Sequence, residues 1–285
     1  MTVSTLLKWN IVTDSACDLL HKDIACEEVG FSCVPFSIRI ADKEYKDDEN
    51  LNVLEMLTHM ENCPTASGSS CPSPYDWEQE FLKSEQTVVI TISGNLSGSL
   101  NSALVAKDTV LAKHPERRIM VLDSRSTGPE IALCVYKIVG WIKDGLDFET
   151  INEKAQEFLD KTKTSFALSS FDNLVKNGRM SKLTGFVARK LGMWGIGIAS
   201  DIGTIAMKGK SRGPKKAVAL LLEDMEERGF SGKEVAISHC ENEDMVQKLK
   251  ESILVRWPTA EIKVLKTRGL DSYYAERGGL IISFC

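Results

Sequence analysis

The stretch 87-TVVITISGNLSGSLNSA-103 changes its periodicity twice. Val88, Val89, Ile90, Thr91 and Ile92 form a short apolar run, which predicts a buried strand of a parallel sheet. Ser93, Gly94, Asn95, Leu96, Ser97, Gly98 and Ser99 break it into a small polar loop. A helical pattern then follows, with Leu100, Leu104 and Val105 expected to face a core. Strand, polar loop and helix in that order are the unit of an open α/β sheet, where ligands lie beyond the carboxyl ends of the strands. Loop hydroxyls and the first free N–H groups of the helix would there converge on one spot, which suits an anion. The same residues also serve a plainer purpose, since Ser97 or Ser99 can cap the helix while Gly94 and Gly98 shape the turn.

Working outward, β and α patterns alternate on both sides. Trp9 to Thr13 reads as a first strand, ending in the polar turn Asp14-Ser15-Ala16-Cys17-Asp18-Leu19. Val34 to Ile40 alternates at period two, and Ala41 to Tyr45 turns it back as a hairpin. Asn50 is the expected cap of a helix carrying Val53, Leu54 and Leu57. Cys63 to Pro74 (CPTASGSSCPSP) reads as a proline-stiffened loop rich in hydroxyls. Arg118 to Asp123 is another strand, followed by helices from Pro129 to Lys143 and from Phe148 to Thr162. This alternation predicts a mainly parallel sheet with helices on both faces.

The pattern changes near Ser165, which places an N-terminal α/β domain over residues 1–165 and a C-terminal α/β domain over 166–285. The second half opens with a strand at Phe166 to Ser169 and a short helix at Asp172 to Asn177. A hairpin turn falls at Ala199 to Thr204, and Lys208, Lys210, Arg212, Lys215 and Lys216 crowd together beyond it. Strand, helix and strand then follow at Glu234 to Ser238, Glu243 to Arg256 and Glu261 to Leu265, with a last strand at Leu280 to Phe284.

Composition narrows the function. The chain has 285 residues, 43% hydrophobic and 26% charged, which is ordinary for a soluble globular protein. A net charge of −5 argues against nucleic acid or an acidic membrane as partner. With no apolar run long enough to span a bilayer and no signal-peptide pattern, the expected location is cytoplasmic, without membrane insertion. The eight cysteines contain no C-x-x-C pair and the four histidines no H-E-x-x-H, so neither a zinc site nor another cofactor is expected. No G-x-G-x-x-G or Walker loop follows any strand, which removes the nucleotide-binding class. A hydrolase using Ser93 or Ser97 is the alternative reading. Gly94-Asn95-Leu96-Ser97-Gly98 has one residue too many for a G-x-S-x-G elbow, and His239 is the lone histidine at a plausible strand end.

Five short motifs stand in register along the chain. Thr13-Asp14-Ser15 with Asp18-Leu19 fits T-D-S-x-x-D-L, and Ser69-Ser70-Cys71-Pro72-Ser73 fits T-S-Q-P-S with Ser for Thr and Cys for Gln. Ser93 to Ser99 fits S-S-x-L-S-G-T with Gly94 replacing the second serine. Gly178-Arg179-Met180-Ser181 fits G-R-I-S, and Lys210-Ser211-Arg212-Gly213 fits K-x-R-G. Together these motifs resemble those of the DegV family of bacterial fatty-acid-binding proteins, which is related to the lipid-carrying subunit of fatty acid kinase. One departure stands out. Tyr274 aligns with a family histidine that approaches the ligand carboxylate, and a phenol donates a hydrogen bond without carrying positive charge near neutral pH.

The resemblance implies a two-domain fold with a long-chain fatty acid, such as palmitate, bound between the domains. It implies a lipid carrier that presents the acid to a kinase partner, not an enzyme. Carboxylate donors would be Ser69, Ser70, Ser93, the Gly94 N–H and Tyr274. Arg179 and Arg212 would lie at the headgroup mouth or meet the partner. The acyl chain would run among Phe166, Leu168, Phe186, Trp194, Ile196 and Ile282. Hydroxyl and N–H donors suit such a headgroup because each satisfies the carboxylate without burying a second charge.

Overall fold

The computed structural model describes residues 6–24, 26, 28–63, 67–181 and 192–285. Its first sheet is parallel throughout, in the order β2-β1-β6-β7. These strands are β1 (Leu7–Asp14), β2 (Val29–Val34), β6 (Ser84–Thr91) and β7 (Arg118–Asp123). The apolar run at the centre of the expected unit is β6. Its alternation splits the core between two faces, as a pleated strand must. Val88 and Ile90 pack on one side with α4 (Pro129–Lys143) and α5 (Phe148–Lys161), while Val89 packs on the other with α2 (Pro74–Phe81) and α3 (Ser99–Lys113).

Between β2 and β6 the chain builds a small antiparallel sheet, β4-β3-β5, from β3 (Ser37–Ile40), β4 (Lys43–Lys46) and β5 (Ser67–Ser70). Helix α1 (Val53–Asn62) lies between β4 and β5 and is capped by Asn52, whose side chain accepts the Glu55 N–H at 3.2 Å. The cap is therefore two residues beyond the expected Asn50. The serines of the hydroxyl-rich segment form β5 instead of a loop, because Ser67 to Ser70 pair in register with Ser37 to Ile40.

The second sheet begins at Lys163 and has the order β10-β9-β8-β13-β11-β12 among the described residues. Its strands are β8 (Lys163–Leu168), β9 (Met193–Ala199), β10 (Ile205–Arg212), β11 (Glu234–His239), β12 (Glu261–Lys266) and β13 (Leu280–Phe284). All its pairings are antiparallel except β11 with β12. Helices α7 (Pro214–Glu227) and α8 (Glu243–Arg256) cover its outer face. The inner face receives α6 (Asp172–Lys176) and α9 (Gly269–Ala275). Helix α9 has no counterpart in the pattern reading.

Helix α3 turns a different face to the core than its leucines suggest. Ser99, Ala103, Ala106 and Val110 are buried, whereas Leu104 and Val105 are 39% and 45% exposed. The small stripe wins because Trp77 and Phe81 of α2 already fill the space beside it. Helix and sheet can then approach closely only through alanine and serine.

Candidate functional site

The loops at the carboxyl ends of the first sheet meet the inner face of the second. Between them lies a chamber of about 810 Å³, counting the open space at its mouth. Strand alternation selects its wall. Phe166 and Leu168 of β8 and Ile281 of β13 point inward, joined by Leu174 of α6, Ile205 of β10 and Leu270 of α9.

The same alternation corrects part of the expected acyl-chain wall. Ile282 follows Ile281 and therefore faces the other way, into the core under α7 and α8. Ile196 pairs with Ala167 across β9 and β8 and shares that outer face, with Trp194 packed against the same core two residues earlier. Phe186 lies outside the described residues.

The polar end is built where β5 lies against α9. Ser67 and Ser69, on one face of β5, meet two successive tyrosines of α9. The hydroxyls of Ser67 and Tyr273 share a hydrogen bond at 2.8 Å, and those of Ser69 and Tyr274 share one at 2.9 Å. Asn177 Nδ2 also donates to Tyr273 Oη at 2.9 Å, which leaves Tyr273 fully buried and occupied. Ser69 and Tyr274 instead line the chamber. A pair of hydroxyls sharing one bond keeps a second O–H for another acceptor. Ser70, the next residue of β5, is exposed on the opposite face and does not line the chamber. Reading the segment as a loop concealed that alternation.

Ser93 and Gly94 also depart from expectation. The Ser93 hydroxyl is fully buried and donates to the Gly203 carbonyl at 2.7 Å, in the β9–β10 turn. The Gly94 N–H donates to Asp123 Oδ1 at 3.1 Å. Asp123 also receives the Arg125 N–H, so its carboxylate ties together the ends of β6 and β7. Neither Ser93 nor Gly94 lines the chamber. The residue of this loop that does, beside Leu96, is Ser97. Its Oγ accepts the Ser99 N–H at 3.2 Å and keeps its own O–H.

Arg179 reaches the chamber edge. Its Nε donates to Leu96 O at 3.1 Å and its Nη1 to Asn177 O at 2.5 Å. Its partners among the described residues are carbonyls, which hold the guanidinium in place without neutralising it. Arg212 is exposed on β10 and does not line the chamber. Within the basic run, Lys208 is paired with Asp224 and Glu227 of α7, which answers much of the charge crowding there.

Other hydroxyls in the chamber wall are already spent. Ser126 Oγ donates to Thr164 Oγ1 at 2.9 Å, Thr164 bonds Glu130 Oε2 at 2.6 Å, and Thr127 Oγ1 donates to Asp271 Oδ1 at 2.8 Å. Burial pushes the Glu130 carboxyl up to about 7. Burial and the facing Asp18 raise Asp271 well above the ordinary carboxylate range, and burial pushes Asp18 itself up to about 7. Of these acids only Asp271 lines the chamber, and its raised pKa favours the neutral form there. Nothing in the sequence marked Asp271 or Leu270, because the short helix that brings them to the wall has too few residues for a periodic pattern.

The arrangement does not supply hydrolytic machinery. Ser93 gives its proton to a backbone carbonyl, and no histidine lines the chamber. Nδ1 of His239 accepts the Asn242 N–H at 3.2 Å, and burial lowers its pKa. A nucleophile without a base within reach lacks the activation that acyl transfer needs.

Fold and site together define an α/β protein of two main sheets and a small third one, with an apolar chamber between the main sheets that is bordered by paired hydroxyls and an arginine. A family model described as uncharacterised protein, DegV family, matches residues 8–282. The chain belongs to the DegV family. A DegV domain-containing protein of Streptococcus pneumoniae is 40% identical over 278 residues, covering 98% of this chain and 99% of that protein. Among solved structures, the S. pneumoniae fatty acid kinase B3 protein loaded with linoleic acid is similar at 40% identity and a TM-score of 0.94, over 97% of this chain and 99% of that one. A DegV family protein of Eubacterium eligens loaded with heptadecanoic acid is similar at 35% identity and a TM-score of 0.92, with the same coverage.

Proposed function

We propose that this chain binds one long-chain fatty acid and carries it to a fatty acid kinase as a non-catalytic subunit. The observation that carries the reading is the Ser69–Tyr274 hydroxyl pair at the end of a chamber walled by Phe166, Leu168, Leu174 and Ile281. Tail burial drives binding at about 0.8 kcal/mol per methylene, so roughly fifteen methylenes offer on the order of 10 kcal/mol before ordering costs. The carboxylate would accept from the free O–H of the Ser69–Tyr274 pair and from Ser97, with Arg179 as the nearby cation. Arg179 would then stand where a phosphoryl group is added to the carboxylate by the partner.

The solved structures loaded with linoleic and heptadecanoic acids support the ligand class, and the kinase protein among them supports the partner. No helix among the described residues is long and apolar enough to cross a membrane, and we place the carrier in the cytoplasm. Titration of delipidated protein with a series of saturated fatty acids tests the reading. Affinity should rise with each added methylene until the chamber is full. Equal weak response to octanoate and palmitate would overturn it.

A further inference from the structure

Two cysteines outside the chamber are placed for chemistry with each other. Cys17 ends the turn that follows β1, and Cys33 lies on β2, the neighbouring strand, where it pairs with Thr13. Their Sγ atoms are 3.4 Å apart. A disulfide needs about 2.05 Å between sulfurs, so forming one closes the gap by about 1.4 Å. The pair is asymmetric in access. Cys17 is fully buried, whereas Cys33 is partly exposed and lines a cleft with Ser32, His21 and Lys83. The Thr13 hydroxyl at 3.1 Å and the Leu19 N–H at 3.4 Å both donate to Cys17 Sγ. Burial outweighs these donors and, with Cys33 beside it, holds the Cys17 thiol well above its ordinary pKa, so Cys17 stays a thiol until it is called on.

We propose that Cys17 and Cys33 are an oxidisable dithiol, closing to a disulfide when a peroxide reaches the cleft, and that closure shifts the turn around Cys17. The Cys33 thiolate attacks a peroxide oxygen, the O–O bond breaks, and an alcohol or water leaves, giving the Cys33 sulfenic acid. Cys17, losing its proton, attacks Cys33 Sγ. The S–S bond forms, the S–O bond breaks, and the hydroxide leaves as water. Two thiols are oxidised and one peroxide is reduced, and a dithiol reductant reverses the change.

The turn is a junction, which gives closure a structural consequence. Ser15 Oγ accepts the Phe36 N–H at 3.1 Å, Ala16 O accepts the Gly128 N–H at 2.6 Å, and Asp18 Oδ1 accepts the Arg268 N–H at 2.7 Å. Phe36 lines the chamber, Gly128 opens α4, and Arg268 precedes α9 with its Tyr274. Moving Cys17 toward β2 therefore pulls on three anchors of the chamber wall.

The test uses the full chain, treated with hydrogen peroxide and then blocked, digested and analysed by mass spectrometry. The expected result is a peptide pair joined through Cys17 and Cys33, short of two hydrogens and restored by dithiothreitol, absent in Cys33→Ser and in Cys17→Ser. Amide exchange of the oxidised protein should be faster at Gly128 and Arg268, whose N–H groups donate to the turn. Oxidation that spares this pair while modifying other thiols would overturn the dithiol. A disulfide that forms with both amides unchanged would overturn the coupling. Neither readout depends on a bound fatty acid, so failure here leaves the carrier reading standing.

Discussion

Replacing Tyr274 by phenylalanine removes one oxygen and leaves the ring that packs against Tyr273 with centroids 4.9 Å apart. In the empty protein the loss is one hydroxyl–hydroxyl bond to Ser69 at 2.9 Å, at a site open to solvent through the chamber. A neutral bond of that kind contributes about 0.5–1.5 kcal/mol, so folding should weaken only slightly. The complex loses more. A hydrogen bond to a carboxylate is worth about 1.5–3 kcal/mol, which corresponds to about 10- to 150-fold in affinity. The increment per methylene, about fourfold at 0.8 kcal/mol, should not change, because the tail contacts are untouched. Calorimetric titration of delipidated parent and Tyr274→Phe with myristate, palmitate and stearate separates the two effects. Parallel lines offset by at least tenfold are expected. An offset below twofold in a well-folded variant would refute the headgroup assignment, since the hydroxyl would then touch no carboxylate.

Three further predictions follow from the register and the buried acids. Ile282→Ala should cost about 2–5 kcal/mol of stability with little effect on fatty acid affinity, whereas Ile281→Ala should weaken affinity by about 1–2 kcal/mol; denaturant melts and titrations on both variants check this. Asp14 and Asp18 are pushed up by burial to about 6 and about 7, above their unfolded values, so the folded state holds protons that the unfolded chain has released. Their contribution to stability is therefore present at low pH and lost as pH rises to about 7. Melting temperature should fall between about pH 4 and pH 7, and Asp18→Asn should flatten that fall while keeping an acceptor for the Arg268 N–H. Gly203 sits at φ +78° with its absent Cβ 2.3 Å from Ser93 Oγ, so Gly203→Ala should lose about 1–3 kcal/mol, read by thermal denaturation.

Strand and helix content was largely legible because the parallel strands are continuous apolar runs. β7, α4, α8 and β13 fall where periodicity placed them. The reading failed where the decisive information was tertiary. Ser67 to Ser70 looks like loop composition, and only pairing with β3 makes it a strand that turns Ser69 inward and Ser70 outward. Leu104 and Val105 have the hydrophobicity of a buried face, but the space beside α3 is taken by Trp77 and Phe81. Ile281 and Ile282 are both isoleucines of β13, and which of them faces the chamber is invisible without the register. Of the residues expected at a headgroup, Ser69, Tyr274 and Arg179 line one chamber. Both the strand–loop–helix pattern and the motif point Ser93 and Gly94 at the headgroup, and their donors are instead spent on Gly203 and Asp123.

Native mass spectrometry of the protein as purified, with organic extraction of whatever accompanies it, tests the central claim most directly. A one-to-one complex with a long-chain fatty acid is predicted, sharply weakened in a Ser69→Ala, Tyr274→Phe double variant. Protein that arrives empty and stays empty when offered palmitate, oleate and linoleate would contradict the carrier account.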